Sequence, residues 1–151
     1  AAVEDVLKSH VLGKSVDAVL IDVHGEATSE KVALGHVCDG RASLVVGTHT
    51  HIPTADAQLL PGGTAYQSDA GMCGDYDSVI GMEKETAIAK FRSKIVNERL
   101  TPARGPGSLC AVYVETDDAT GLAARVASVV IGGRLQPAWP PFLPPRAATV
   151  S

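Results

Sequence analysis

Aromatic residues make up only 4% of the 151 positions, with one Trp, three Tyr and two Phe. With 45% hydrophobic residues overall, the composition suits a soluble globular protein whose core rests on Val, Ala and Leu. The three cysteines, Cys38, Cys73 and Cys110, are odd in number, widely separated and free of any C-x-x-C pair. That argues against a disulfide framework and for free thiols in a reducing, cytoplasmic setting. No apolar run is long enough to span a bilayer, so no membrane partner is expected. Glu4, Asp5 and Lys8 interrupt any signal-peptide pattern at the start. An excess of positive charge is missing too: 13 Lys and Arg against 17 Asp and Glu leave −4. A nucleic-acid backbone or an anionic membrane is therefore not favoured as a bulk electrostatic partner. A site that handles phosphate must draw its positive charge locally, as bound metal ions allow.

What is present is concentrated in Val45-Val46-Gly47-Thr48-His49-Thr50-His51-Ile52-Pro53, where an apolar run ends in glycine and two histidines follow. A third, His24, comes directly after Ala18-Val19-Leu20-Ile21-Asp22-Val23. Imidazole is the commonest ligand for zinc, iron, manganese and related ions. His24, His49 and His51 are thus candidate metal ligands. His49 and His51 would face opposite sides of a regular strand, so both must lie in the turn beyond it to reach one ion. Asp22, Glu26, Asp56 and Asp69 are nearby carboxylates that could ligate metal or orient a ring through its second N–H. Taken singly, His24 reads more readily as a structural histidine than as a ligand, and Lys31 and Arg41 could contact a phosphate but read better as surface charges. Cys73 lacks any feature that would activate it as a nucleophile.

The length allows one domain. Residues 2–12 carry an apolar helical stripe of Val3, Val6, Leu7 and Val11. Ser15 to Val23 reads as a buried central strand. Thr28 or Ser29 can cap a helix from Glu30 to Cys38 with Val32, Ala33, Val37 and Cys38 inward. A strand from Ala42 to Val46 completes a βαβ unit, which would bring His24 and His49 to the carboxyl edge of the sheet, where ligands bind in α/β folds. Residues 52–80 are irregular apart from a short strand from Thr64 to Gln67. A helix from Glu83 to Val96 follows, then an antiparallel hairpin of Ser108–Glu115 and Leu122–Ile131. The tail from Gln136 to Pro145 holds five of the nine prolines and reads as extended and irregular.

Three runs carry a family resemblance. They are Asp22-Val23-His24-Gly25-Glu26-Ala27-Thr28-Ser29-Glu30-Lys31, the segment from Gly47 to Asp56, and Gly62-Gly63-Thr64-Ala65-Tyr66 with Tyr76-Asp77-Ser78-Val79-Ile80-Gly81. Together they resemble a bacterial branch of the calcineurin-like metallophosphoesterases associated with 2′,3′-cyclic-nucleotide 2′-phosphodiesterase activity. The resemblance implies an α/β fold, the C-terminal half of an αββα sandwich: residues 1–135 as a partial metallophosphoesterase domain and 136–151 as a proline-rich tail. It further implies a hydrolase that cleaves phosphodiesters such as cyclic nucleotides through a metal-bound hydroxide. Two divalent ions (Fe, Mn or Zn) would be held in part by His24, His49 and His51, with Asp22, Thr48 and Asp56 supporting them. The family's opening Asp motif, Glu-Asn pair, further Asn and proton-donating histidine have no counterpart here, so no catalytic residue is assigned on this chain. An N-terminal half, or another chain, is expected to complete the sheet, with homo-oligomerisation open. Two other readings remain: a non-catalytic structural or assembly subunit, and a mononuclear three-histidine zinc hydrolase.

Overall fold

A computed structural model describes residues 2–93 and 98–146. Helix α1 (Ala2–Ser9) leads to strand β1 (Leu20–His24), helix α2 (Thr28–Cys38) and strand β2 (Leu44–Thr48). Short strands β3 (Gln58–Leu59), β4 (Ala65–Gln67) and β5 (Gly74–Asp75) precede helix α3 (Lys84–Arg92). The hairpin of β6 (Gly107–Thr116) and β7 (Ala123–Ile131) closes the set. One sheet has the order β1-β2-β4-β3, the other β5-β6-β7. β1, β2 and β4 run parallel, and the crossover through α2 aligns Leu20 with Leu44 and His24 with Thr48.

The period-two alternation of β2 sorts its side chains between two cores. Val45, on one face, packs with Leu7, Cys38, Ala42, Leu60 and Tyr66 beneath the helices. Leu44 and Val46, on the other, meet Ala65 and Ala123 and the inward residues Val112, Val114 and Val126 of the hairpin. Helices, first sheet and second sheet therefore form three layers. Burying Val45 completely is worth about 1.5–3 kcal/mol, as for any large aliphatic side chain. Polar links also join the sheets: Ser128 Oγ donates to Gln67 Oε1 at 2.9 Å, and Ser43 Oγ to the Gly121 carbonyl at 2.6 Å.

Several sequence expectations are corrected. The run ending at Val23 is an edge strand, not a central one: β1 pairs with β2 alone and Leu20 is 66% exposed. β2 is the strand covered on both faces. The cap of α2 is Ala27, with no side-chain hydrogen bond, in place of Thr28 or Ser29. Its buried side is Lys31, Gly35 and Cys38, while Val32 and Val37 are exposed. Gly35 is the reason that face can approach the sheet, since a Cβ there would lie 2.7 Å from Tyr66 Cδ2. α3 stops at Arg92, has no buried residue and leaves Phe91 96% exposed; the expected continuation through residues 94–96 lies outside the described residues. The tail is tied down: Val130 and Ala138 exchange backbone hydrogen bonds, and the Phe142 ring packs on Tyr113 and under Arg125.

Candidate metal centre

β1 ends on His24 and β2 on Thr48, side by side at the carboxyl edge of the parallel strands. Thr48 Oγ1 donates to Asp22 Oδ1 at 2.7 Å. A hydroxyl has one proton, so the 3.0 Å contact between Thr48 Oγ1 and His24 Nδ1 requires Nδ1–H to donate. That fixes the tautomer of His24, with a lone pair and no proton on Nε2.

Beyond Thr48 the chain leaves strand geometry. His49 (φ 111°) and His51 (φ 68°) both take positive φ, uncommon for residues with a Cβ. This bend turns His49 onto His24: the rings meet edge to face with centroids 4.9 Å apart, and His49 Nδ1 lies 3.2 Å from His24 Nε2. His24 Nε2 has only a lone pair to offer, so His49 Nδ1–H donates. The other nitrogen of His49 is 2.9 Å from Glu26 Oε2. Both ring nitrogens of His49 thus lie within hydrogen-bonding distance of a partner. His51 points elsewhere: its Nδ1–H donates to the Ile80 carbonyl at 2.8 Å, which fixes its tautomer and frees Nε2. Ile80 itself has φ 47°.

The donor chemistry fits a divalent ion, the cofactor this fold family implies. His51 has Nδ1 committed to an oxygen acceptor and Nε2 available, the pattern of metal-binding histidines, whereas His24, with Nδ1 likewise committed, has Nε2 against His49. Convergence is incomplete. Among the described residues no group of three or more His, Cys, Asp or Glu side chains is arranged to hold an ion. His24 and His49 face each other, and one must turn before either nitrogen of that contact can ligate.

Of the supporting residues expected from sequence, Thr48 contacts His24 and Asp22 reaches it only through Thr48, and Asp56 does not join them. Its carboxylate accepts from the backbone N–H and hydroxyl of Ser68. Burial pushes the Asp56 carboxyl up, but the Ser68 and Thr54 hydrogen bonds outweigh it and hold the group below its ordinary value. Arg41 donates to the Val37 carbonyl near the end of α2.

Lys31 is not a surface charge. It and Asp69 are each 2% exposed, with Nζ 3.1 Å from Oδ2. Asp69 also accepts from the backbone N–H of Thr50 and of Gly71, both at 2.9 Å. Burial raises its carboxyl, yet the Thr50 and Gly71 amides, with Lys31 adding to them, hold it below the ordinary value. Tyr76 was equally hidden in the sequence: its hydroxyl donates to the carbonyl of His51 or of Met72 and accepts from Met72 N–H. A period-based reading of α2 had one available signal for Lys31, its i, i+4, i+7 spacing with Gly35 and Cys38. Nothing local marks Tyr76 or the Ile80 carbonyl.

No helix among the described residues is long and apolar enough to cross a membrane. Over 118 residues the chain is 48% identical to a 2′,3′-cyclic-nucleotide 2′-phosphodiesterase of Bacillus subtilis (strain 168), covering 78% of this chain and 44% of that protein. A crystal structure of a hypothetical protein from Thermus thermophilus superposes with a TM-score of 0.78 at 41% identity, over 88% of this chain and 50% of that one. A crystal structure of a novel phosphatase from Mycoplasma pneumoniae gives 0.74 at 36% identity, over 85% and 46%. The chain spans about half the length of these relatives. Those likenesses show its layers to be a metallophosphoesterase-like α/β fold. With residues 1–129 matching the family described as YmdB-like protein, the chain belongs to that family, which is of metallophosphoesterase type.

Proposed function

We propose that this chain carries the histidine-bearing half of a divalent-metal-dependent phosphodiesterase site, acting on small phosphodiesters such as 2′,3′-cyclic nucleotides. The observation that carries the reading is the strand-end pairing of His24 and His49, with the His24 tautomer set by Thr48 and Asp22. The 2′,3′-cyclic-nucleotide 2′-phosphodiesterase name of the Bacillus subtilis relative supports the substrate class. His24, His49 and His51 would hold metal through imidazole nitrogens, with Asp22 and Thr48 orienting His24 and the Ile80 carbonyl orienting His51. When bound, two such ions supply an acidified water and neutralise charge at phosphorus.

Neutral imidazoles cannot offset the repulsion between two neighbouring cations, so anionic ligands must come from elsewhere. In this reading they come from the portion of the relatives that lies outside the match. The open edge of β1, with Leu20 exposed beside it, is the surface on which that portion would continue the sheet. The domain is taken to end at residue 135, with the tail a strap along β7.

The test joins this chain to the N-terminal half of the Bacillus subtilis relative and assays hydrolysis of a 2′,3′-cyclic nucleotide with Mn, Fe or Zn. Metal-dependent turnover is expected in the joined protein and negligible turnover in the isolated chain. A joined, folded protein that binds metal but stays inert with all three metals, or one whose activity survives His49→Ala, would refute the proposal.

A further inference from the structure

The segment that carries two of the three histidines is anchored from below by a buried charge pair that neither the sequence reading nor the proposed chemistry uses. The structure assigns Lys31 and Asp69 as positioning residues: their ion pair sets the His49–His51 turn by holding the Thr50 amide between the two imidazoles. The inference rests on the metal-centre reading and names what shapes that centre.

Four observations converge on it. Lys31 and Asp69 are 2% exposed and 3.1 Å apart, so the pair is shielded from water. Asp69 divides its acceptors: Oδ2 takes Thr50 N–H as well as Lys31, and Oδ1 takes Gly71 N–H. One carboxylate thereby clamps the turn after β2 to the segment after β4. The residues on either side of Thr50 have positive φ, a conformation that persists only when its surroundings enforce it. Finally, Lys31 reaches Asp69 past Gly47, where a Cβ would lie 2.8 Å from Lys31 Cδ.

Stability alone is a weak reason for such a pair, because apolar side chains of similar volume commonly do as well in a core. What the pair adds is direction. The Thr50 and Gly71 amides, with Lys31 adding to them, favour the charged carboxylate, and Lys31 Nζ fixes which oxygen shares the Thr50 N–H. Among the described residues neither partner hydrogen-bonds to His24, which sits on β1 and is held by Thr48. The pair should therefore act directly on the His49–His51 turn, reach His24 only through its contact with His49, and leave the β6–β7 hairpin alone, a split that a merely structural role would not produce.

The experiment compares the 151-residue chain with the doubly neutralised variant Lys31→Met, Asp69→Asn. Three readouts are taken: exchange of the Thr50 amide in metal-free protein, imidazole nitrogen signals of all three histidines, and their response to zinc. In the double variant the Thr50 amide should exchange at least about tenfold faster. The zinc dissociation constant read at His49 and His51 should rise about 10–100-fold, as when an outer partner of a ligand is lost. The β6–β7 amides should stay as they are, and of the His24 nitrogens Nε2, which faces His49, should change while Nδ1 stays held by Thr48. Thr50 exchange and zinc affinity both within about twofold of the parent would overturn the assignment. If the double variant does not fold, Lys31→Met alone decides: faster Thr50 exchange in a folded protein supports the pair's hold on the turn, and unchanged protection overturns it. A parent chain whose imidazoles ignore zinc would count against the metal-centre reading, while its Thr50 exchange would still decide the role of the pair.

Discussion

Gly47→Ala tests the close approach on which the candidate site is built. A Cβ at Gly47 would stand 1.8 Å from the Ser68 carbonyl oxygen and 2.6 Å from its carbon. Ordinary contact begins at 3.4 Å, so the methyl and that carbonyl must separate by 3.4 − 1.8 = 1.6 Å. The obstacle is backbone and cannot swing aside like a side chain. Overpacking of this kind costs about 1–3 kcal/mol. Separation also strains the 2.9 Å bond from Ala70 N–H to the Gly47 carbonyl, worth about 1 kcal/mol. Against this, alanine restricts the unfolded chain and returns about 0.4–1 kcal/mol. The net expectation is a loss of about 2–3 kcal/mol. Urea unfolding followed by circular dichroism should show the midpoint falling by roughly 1–2 M, for a slope of about 1–3 kcal/mol per molar. Gly25→Ala is the control, because a Cβ there meets nothing within 4 Å. A Gly47→Ala midpoint indistinguishable from that control would refute the packing argument.

Tyr66→Phe should stabilise the protein. The ring is 2% exposed and its hydroxyl has no hydrogen-bonding partner among the described residues; the neighbouring Ser68 hydroxyl is spent on Asp56. Burial, with the Asp56 charge adding to it, pushes the phenol up to about 12. Removing an unpaired buried hydroxyl should gain about 1 kcal/mol and raise Tm by about 2–4 °C, and a lower Tm would sink the reading. Acid should loosen the turn after β2. Asp69 and Asp56 have carboxyls below their ordinary value of 3.8, so their stabilisation is present above that value and disappears as pH falls through the lowered folded values. Unfolding free energy should therefore drop below about pH 4, and Asp69→Asn should flatten that limb. An unchanged limb in the variant would remove Asp69 from the account.

The order and types of the longer elements were legible because those strands and the hairpin announce themselves by apolar runs and alternation, whereas the two-residue strands β3 and β5 fell in a stretch read as irregular. Val45 and Val46 made β2 visible, and the turn at residues 117–121 separated β6 from β7. Which strand was central was not legible: β1 and β2 are both apolar, and only pairing distinguishes the exposed Leu20 from the covered Leu44. α2 misled because its inward side is defined by a missing side chain, Gly35, and by a lysine whose charge is matched 38 residues away. At the site, strand-end placement located His24 and His49. The outward turn of His51 depends on the carbonyl of Ile80, 29 residues away, which carries no side-chain signal at all.

The three parallel strands differ from the hairpin in how far apart in the chain their partners lie. β6 and β7 meet through a short reversal, whereas β1, β2 and β4 can associate only after the α2 crossover and the 49–64 excursion have closed. Local pairings form sooner than distant ones because less chain entropy is lost before contact is rewarded. The hairpin is thus positioned to form early and serve as a template, and the histidine-bearing edge is assembled among the last events. Truncations or slow synthesis that interrupt residues 20–67 would leave a chain rich in secondary structure yet without the histidine-bearing corner.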